Sequence, residues 1–403
     1  MNFKQKGLHV LHQPEDLDKL AKTGISLHCH TLHSKEILDF IPYYAERVPV
    51  LKYFWKRECR RYFKRTGKLP NFTTGYWEPP LTGGQVFESE KAQMDAAGLE
   101  AVISITDHDC IDAALELNRH VPNANAPISM EWTVPFEYAF FHVGVHNLPA
   151  ESAVEIKERL LDYTCNKEIQ NNETLHAIFE MLDALPGVLI VLNHPVWDIE
   201  MIGEELHLRL LDRLIAEHGR WIHAVEINGF RSWSENKAAI ELAEMHNFPL
   251  ISGGDRHCCN QNTMINITDS KTFGGFVEEI RIDKHSRIVV MPDYHLPLEF
   301  RQVRSMSQIL TNYPEFSEDR RRWIDRVVID IEDGSGIRPL SHHWKSGEPG
   351  WAGWLMRSLS ILSHTRLLPA YELYVSREDR VPKQPSPAKH APQISRETLV
   401  IDG

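Results

Sequence analysis

Short apolar runs alternate with amphipathic stretches over most of the chain, from about residue 20 to residue 290. Apolar runs of about four to eight residues between turn signals are typical of buried strands, and longer stretches with apolar residues at helical spacing predict helices. The predicted strands are Gly24–Leu27, Ala101–Ile105, Pro127–Met130, Ala139–Val145, Val188–Leu192, His223–Ile227, Pro249–Ile251, Glu278–Ile282 and Arg287–Met291. The predicted helices are Phe87–Ala97, Ile111–Asn118, Ala153–Leu185, Gly203–His218 and Glu235–His246. Strands alternating with helices predict an α/β fold with a parallel sheet, and this many repeats favour a closed barrel.

Three segments fall outside this alternation. Residues 40–85 separate the first predicted strand from the next helix, far longer than the usual connection of about 2–6 residues, and predict an insertion in a barrel of residues 20–290. Residues 295–375 lack the strand pattern, and we expect them to form a C-terminal extension that packs on the barrel. The last segment, 376–403, includes a run rich in Pro, Lys and Ser from Val381 to Pro392, which predicts a disordered tail.

The composition narrows the class of protein. The chain has 403 residues, and its net charge of −12 argues against a general nucleic-acid coat protein, so we expect no stable nucleic-acid complex. Its six cysteines form no C-x-x-C pair, which favours a reducing, cytoplasmic environment. The first residues lack the apolar core of a signal peptide, and no apolar run reaches the roughly 18 residues of a membrane span.

Two histidine motifs directly follow predicted strands. His28 and His30 lie two residues apart, so in extended backbone both imidazoles point to one face and can reach one metal ion. In a chain with 22 histidines, this pair alone is equally compatible with a structural role. The run Thr106-Asp107-His108-Asp109 is harder to explain structurally, because ionised groups near a core need partners.

Further polar residues occur in or after the later strands. Glu131 follows the run PISM, and His142 lies inside the apolar strand FFHVGV. His194 precedes a proline that fixes the turn, and Asp255 and His257 repeat the spacing of the first motif. Imidazoles and carboxylates suit Zn²⁺, Mn²⁺ and Fe²⁺. The sequence therefore predicts a centre of two or three such metal ions. A carboxylate, most naturally that of Glu131, would bridge two of them. Phosphoryl transfer is the reaction that such an arrangement helps most.

In their order along the chain these motifs resemble those of the polymerase and histidinol phosphatase (PHP) family. The motifs are H-x-H in SLHCHT, T-D-H in ITDHD, the Glu of SMEW, the His of FFHVG, H-P in LNHP and D-x-H in GGDRH. The resemblance implies a distorted (β/α)7 TIM-like barrel and hydrolysis of phosphate esters by metal-bound hydroxide, with Glu131, Asp255 and His257 as catalytic residues. By position, it assigns His28, His30, Glu131 and Asp255 to a first metal, Glu131, His142 and His194 to a second, and His108 and His257 to a third.

The sequence departs from the family pattern just after H-x-H, where other members carry an Asp or His for the third metal. Here Lys35 stands at the Asp position and Glu36 follows it. Either Glu36 serves as the ligand, which we favour, or the third site is weak and the Lys35 ammonium partly replaces the metal.

Other residues have two interpretations. Arg256, inside D-x-H, is suited to clamp a phosphate bidentately or to form a structural salt bridge. Asp107, Glu226 and Asn228 are candidates to hydrogen-bond the ligands. The insertion interleaves basic and aromatic residues between Arg47 and Lys68, which favours an amphipathic helix packed on the barrel over a substrate lid.

The sequence therefore predicts a metal-dependent hydrolase of a phosphomonoester or a short phosphodiester, with a small phosphate ester or a short oligonucleotide as its partner. Hydrolysis of an amide or lactone is one alternative, although no strand-end lysine is evident to bridge metals. A non-catalytic metal-stabilised sensor or scaffold is another.

Overall fold

The computed structural model describes most of the chain between residues 8 and 380. The described residues are 8–10, 17, 19–39, 41–47, 49–69, 71–121, 124–331, 334, 336–373, 375 and 379–380. The predicted disordered tail, 376–403, lies outside them apart from Asp379 and Arg380. No helix in these residues is long and apolar enough to cross a membrane.

Strands and helices alternate through the middle of the chain. The strands are β1 (Leu8–Val10), β2 (Thr23–Ser26), β3 (Glu36–Ile37), β4 (Tyr76–Trp77), β5 (Glu100–Ile103), β6 (Met130–Phe136), β7 (Ala139–His146), β8 (Leu189–Leu192), β9 (Ala224–Asn228), β10 (Leu250–Gly253), β11 (Met264–Thr268), β12 (Ile288–Val290), β13 (Val327–Asp330) and β14 (Ile337–Pro339). The helices are α1 (Ile41–Arg47), α2 (Pro49–Thr66), α3 (Gly83–Ala96), α4 (Asp112–His120), α5 (Ala153–Cys165), α6 (Asn172–Asp183), α7 (Glu204–His218), α8 (Trp233–His246), α9 (Phe273–Arg281), α10 (Leu298–Ile309), α11 (Trp323–Arg326), α12 (Leu340–His343), α13 (Gly350–Leu362) and α14 (Leu368–Glu372). The prediction of a mixed α/β fold is confirmed.

The strands form separate sheets, so the predicted closed barrel is not confirmed. One sheet has the order β1-β12-β11-β2-β5 and a second has the order β10-β9-β8-β7-β6. The prediction of a parallel sheet is wrong for part of each, because β6, β7 and β8 pair antiparallel, and β11 pairs antiparallel with β2 and β12. Two isolated parallel bridges, Cys29–Arg256 and His108–Glu131, join the two sheets next to the predicted ligands.

Local sequence signals explain where several helices begin. Thr82 and Ser232 each cap a helix by accepting a hydrogen bond from the backbone three residues on, and a Gln or Glu at that position returns a bond to the cap. Helices α3, α4, α7 and α8 lie where the sequence predicts them. The largest core cluster lies between the second sheet and helices α5 to α7, around Trp132, which is fully buried and donates its indole N–H to the carbonyl of Leu160.

Three predicted elements are corrected. The helix predicted over Ala153–Leu185 is two helices, because the Asn171 side chain accepts a hydrogen bond from the Thr174 N–H and starts a new one. The strand predicted over Glu278–Ile282 is the end of α9, whose buried Phe273, Phe276, Val277 and Ile280 follow helical spacing. The strand predicted over Pro127–Met130 begins only at its last residue, and β11 was not predicted at all.

Strand β3 just before the insertion, β4 within it and β13 and β14 of the C-terminal region form a third sheet, which we call the accessory sheet, of order β14-β13-β4-β3. Helix α2 packs on the same C-terminal region: the Phe54 ring lies 6.1 Å from that of Trp351 in α13, and the Tyr62 hydroxyl donates to the carbonyl of Ile331. Phe54 and Tyr62 therefore contact the C-terminal region, and the packing of the helix on the barrel stays a prediction.

Candidate metal centre

The predicted ligands come from neighbouring strand ends of the first two sheets and from the accessory sheet. His28 and His30 follow β2, His108 follows β5, His194 follows β8, Asp255 and His257 follow β10, Glu131 and His142 lie within β6 and β7, and Glu36 begins β3. The structure brings all nine together, and their role as metal ligands stays a prediction.

The backbone is unusual at three of these positions. His28, His194 and Asp255 have φ values of 63°, 27° and 48°, in the left-handed region that non-glycine residues rarely adopt. Such conformations cost about 1–3 kcal/mol each and persist where the surroundings hold them. Here they turn the side chains into the cluster immediately after their strands end.

The carboxylate of Glu131 is the centre of the cluster, since its two oxygens face two different sets of imidazoles. Oε1 lies 3.1 Å from His194 Nε2 and 3.3 Å from His142 Nδ1, and Oε2 lies 3.0 Å from His28 Nε2 and 3.3 Å from both His30 Nε2 and His108 Nδ1. Ligands bonded to one metal at about 2.0–2.2 Å lie roughly 3.3 Å apart in tetrahedral geometry. The observed separations therefore suit atoms that share metal ions.

Unsatisfied polar atoms also indicate a metal site. In the described chain, His28 Nε2, His30 Nε2, His142 Nδ1 and Glu131 Oε2 are buried and have no hydrogen-bond partner. Buried polar groups are almost always paired, so a set of orphans that face one another calls for a ligand. The side chains fall into four overlapping groups that could hold a metal ion: His30-Glu36-His108-His257, His28-His30-Glu131, His28-His194-Glu226 and His108-Glu131-His142. This donor set fits divalent cations of the Zn²⁺, Mn²⁺ or Fe²⁺ type.

Glu36 completes the group around the proposed third metal. Its Oε1 lies 3.2 Å from His257 Nε2, and its Oε2 lies 3.3 Å from His108 Nε2. The neighbouring Lys35 is exposed, with its ammonium 5.2 Å from the centre of the Tyr76 ring. This placement favours the first of the two alternatives drawn from the sequence, in which Glu36 is the ligand.

Asp255 links the cluster to the guanidinium of Arg231, a residue that the sequence analysis did not identify. Its Oδ1 lies 3.6 Å from His30 Nε2, and its Oδ2 accepts a hydrogen bond of 2.8 Å from Arg231 Nη2. The Arg231 guanidinium carbon lies 3.4 Å from the centre of the Trp197 ring, which in turn lies 5.2 Å from the His194 ring. Nothing in the loop sequence NGFRSW marks this arginine, because its partners come from other loops.

Hydrogen bonds to the outer ring nitrogens orient three of the imidazoles. His28 Nδ1 lies 2.6 Å from Glu226 Oε1, His30 Nδ1 lies 3.1 Å from Ser34 Oγ, and His257 Nδ1 lies 3.0 Å from the carbonyl of Asp255. A carboxylate or carbonyl acceptor holds the proton on Nδ1, so Nε2 keeps its lone pair for a metal.

Some partners of the ligands were foreseen and others were not. Glu226 was a candidate, and its Oε2 also accepts from the backbone N–H of His194 and from Asn228. Asp107 accepts from the backbone and hydroxyl of Thr31, so it supports the loop rather than an imidazole. Ser34 and Asn193 were missed.

The charges of the cluster shift each other's pKa values in the metal-free protein. Burial opposes protonation of His28 and His108, but nearby carboxylates outweigh it, raising the pKa of His28 well above its usual value and that of His108 to about 10. Burial alone would raise the pKa of Glu131, yet the surrounding histidines hold it well below its usual range. Burial lowers the pKa of His142 to about 4, so this imidazole is neutral and ready to ligate.

Arg256 is placed for the structural one of its two roles. Its Nη1 lies 2.6 Å from Oε1 of the buried Glu90, and its Nη2 donates to the carbonyl of Cys258. Since both terminal nitrogens are already engaged away from the ligands, the predicted catalytic role of Arg256 as a phosphate clamp is corrected.

Comparison with known proteins gives distant structural matches. No family model and no curated protein matches the sequence. An amidohydrolase from Chromobacterium violaceum, with bound sulfate and no metal, is 16% identical with a TM-score of 0.31 and covers 45% of this chain and 84% of its own. PsfC from Pseudomonas syringae is 14% identical with a TM-score of 0.38 and covers 70% and 97%. A candidate metal-dependent phosphoesterase from Bifidobacterium adolescentis is 14% identical with a TM-score of 0.30 and covers 44% and 83%. TM-scores this low do not define the function of the chain, which is therefore inferred from its own residues.

Proposed function

We propose that this chain is a metal-dependent hydrolase of phosphate esters, acting on a phosphomonoester or a short phosphodiester. The observation that carries the proposal is the Glu131 carboxylate, whose two oxygens face five imidazoles in two sets. A carboxylate in this position can bridge two cations, and paired cations suit the displacement reactions of phosphate esters.

We also propose that the chain has the distorted seven-stranded barrel of the PHP family. Support comes from the order of the motifs and from the two bridges, Cys29–Arg256 and His108–Glu131. The first links the segment after β2 to the segment after β10, and the second links the segment after β5 to β6. With these links, β2 and the strands from β5 to β10 follow one another around the ligands.

The residues of the proposed metal centre have different roles. Bound cations would lower the pKa of an attacking water and offset the charge of the phosphate. Glu131, Asp255 and Glu36 provide the negative charge that holds such cations, and Nε2 of His28, His30 and His257 provides neutral nitrogen. Arg231 fixes Asp255 by a hydrogen bond of 2.8 Å, which places a positive charge beside the cluster.

A substrate panel tests this proposal. The protein is stripped of metal, reconstituted with Mn²⁺, Zn²⁺ or Fe²⁺ and offered phenyl phosphate, bis(p-nitrophenyl) phosphate, a short oligothymidylate, an anilide and a lactone. We expect metal-dependent cleavage of at least one phosphate ester and of neither the anilide nor the lactone.

A matched pair of variants ties the activity to the cluster. Glu131→Gln should abolish cleavage, whereas Glu155→Gln, on the exposed face of α5, should retain it. Cleavage confined to the anilide or lactone, or no cleavage by the metal-loaded protein, would contradict the proposal.

A further inference from the structure

A pocket opens beside the metal centre, between the loop after β10 and helix α10. It encloses about 520 Å³ including its open mouth. Its wall includes His257 of the cluster, and Gly254 and Arg256 on either side of Asp255. A molecule bound at the metal centre therefore has this pocket as adjacent space.

Most polar groups that line the pocket are already used within the protein. Arg301 donates to the carbonyls of Gly229, Leu296 and Arg231, and Arg256 is paired with Glu90. Likewise, the Thr263 hydroxyl donates to the carbonyl of Gly229. These groups build the wall and have little capacity left for a ligand.

Arg304 is different, because the residue is half-buried and its guanidinium makes no hydrogen bond or ion pair with any described residue. Asp293, an exposed carboxylate on the same pocket, forms no ion pair with it. A guanidinium has five donors in a planar fork that matches a carboxylate or phosphate, and partial burial makes such a pair stronger than at an open surface. The half-buried residue Phe230 lines the same pocket and offers an apolar surface to the uncharged part of a ligand.

We propose that this pocket is a substrate subsite for a second anionic group, a carboxylate or a phosphate, which Arg304 binds while the scissile phosphate lies at the metal centre. This inference rests on the proposed function and extends it, because it makes the preferred substrate a phosphate ester with an anion at its other end. It also gives the C-terminal region a role in specificity, since α10 supplies the arginine.

The test compares three aryl esters with the manganese-loaded full chain. Phenyl phosphate has no second anion, 4-carboxyphenyl phosphate has a carboxylate, and 1,3-phenylene bisphosphate has a second phosphate. We expect kcat/KM to be higher for one or both of the esters with a second anionic group than for phenyl phosphate. The ester with the higher value identifies the anion that the subsite prefers. In Arg304→Ala and in Arg304→Gln, which keeps most of the side-chain stem, this preference should fall roughly tenfold, as expected for a lost hydrogen bond to a charged group.

Two control variants separate this effect from general damage. Gln302→Ala changes an exposed residue of the same helix, and Arg119→Ala removes an exposed positive charge on α4. Both should keep the wild-type preference. An unchanged preference in both Arg304 variants would overturn the proposal.

Direct binding separates this inference from the proposed function. If the protein cleaves none of the esters, the proposed function fails, and calorimetry with phenylphosphonate, 4-carboxyphenylphosphonate and 1,3-phenylenebisphosphonate still tests the subsite. Tighter binding of either compound with a second anion that is lost in Arg304→Ala would support the subsite, and equal binding of all three would overturn it.

Discussion

Oε1 of Glu226 lies 2.6 Å from Nδ1 of His28 and occupies the space that a side chain at residue 253 would need. A Cβ added to Gly253 would lie 1.7 Å from that oxygen and 2.8 Å from the Cβ of His28. The first glycine of the run GGDRH is therefore required by the hydrogen bond that orients a predicted metal ligand.

Gly253→Ala should destabilise the protein by about 1–3 kcal/mol, as overpacking of a filled interior does, and should weaken metal binding because Glu226 must move. Thermal denaturation with and without added Mn²⁺ measures both effects. Gly274→Ala is the matched control, because an added Cβ there has nothing within 4 Å. Equal melting temperatures for the two variants would show that Glu226 is not held as described.

Ser34→Ala should weaken the third metal site most and the first site less. The Ser34 hydroxyl donates to Glu36 Oε1 at 2.7 Å, contacts His30 Nδ1 and accepts from the backbone N–H of His108. Loss of such a ligand-orienting bond typically costs about 10–100-fold in metal affinity. Metal titration should show the larger loss at the third site, where Ser34 contacts Glu36 and the His108 backbone, and a smaller loss at the first site, where it contacts His30. A uniform loss would indicate general unfolding.

Glu36→Gln should lower metal occupancy to about two ions per chain, since the amide removes the anionic oxygen between His108 and His257. Lys35→Ala, at the exposed neighbour, should leave occupancy unchanged. Elemental analysis of the purified variants measures this. If wild type binds only two ions and Glu36→Gln has no effect, the protein is a two-metal variant and Lys35 becomes the candidate to stabilise phosphate charge.

Metal loading should release protons near neutral pH. Carboxylates raise the pKa of His28 well above its ordinary value and that of His108 to about 10, so in the metal-free protein both are protonated at pH 7, and a metal must displace those protons. Affinity should therefore rise as pH increases from 7 towards 10. Calorimetry in two buffers of different ionisation enthalpy measures the protons released, and identical heats in both would contradict the pKa shifts.

The sequence was informative about most of the predicted ligands because they are polar residues in or shortly after an apolar run, whereas Glu36 was predicted only from the family pattern. His142 and His194 are examples: one interrupts a buried strand, and the other follows one. It was less informative about Ser34, Asn193 and Arg231, since each acts through a partner that only folding brings close. Asn193, for example, donates to Glu131, 62 residues away.

The errors in the predicted fold also have physical causes. Glu278–Ile282 has the alternation of a half-buried strand, but the cap at Thr272 and the buried residues before it determine a helix. The insertion and the C-terminal region each contain short strands that are stable only when paired together, as β4 pairs with β13, so neither half signals the accessory sheet alone.

Stoichiometric metal titration of phosphate release tests the central claim most directly. Mn²⁺ is added stepwise to the metal-stripped chain, and the initial rate of phosphate release from the best ester of the panel is recorded against ions bound per chain. The account predicts that the rate rises with loading and saturates at two or three ions for the wild type, while Glu131→Gln stays at background. A rate that is equal with and without metal, or no phosphate release at any loading, would contradict it.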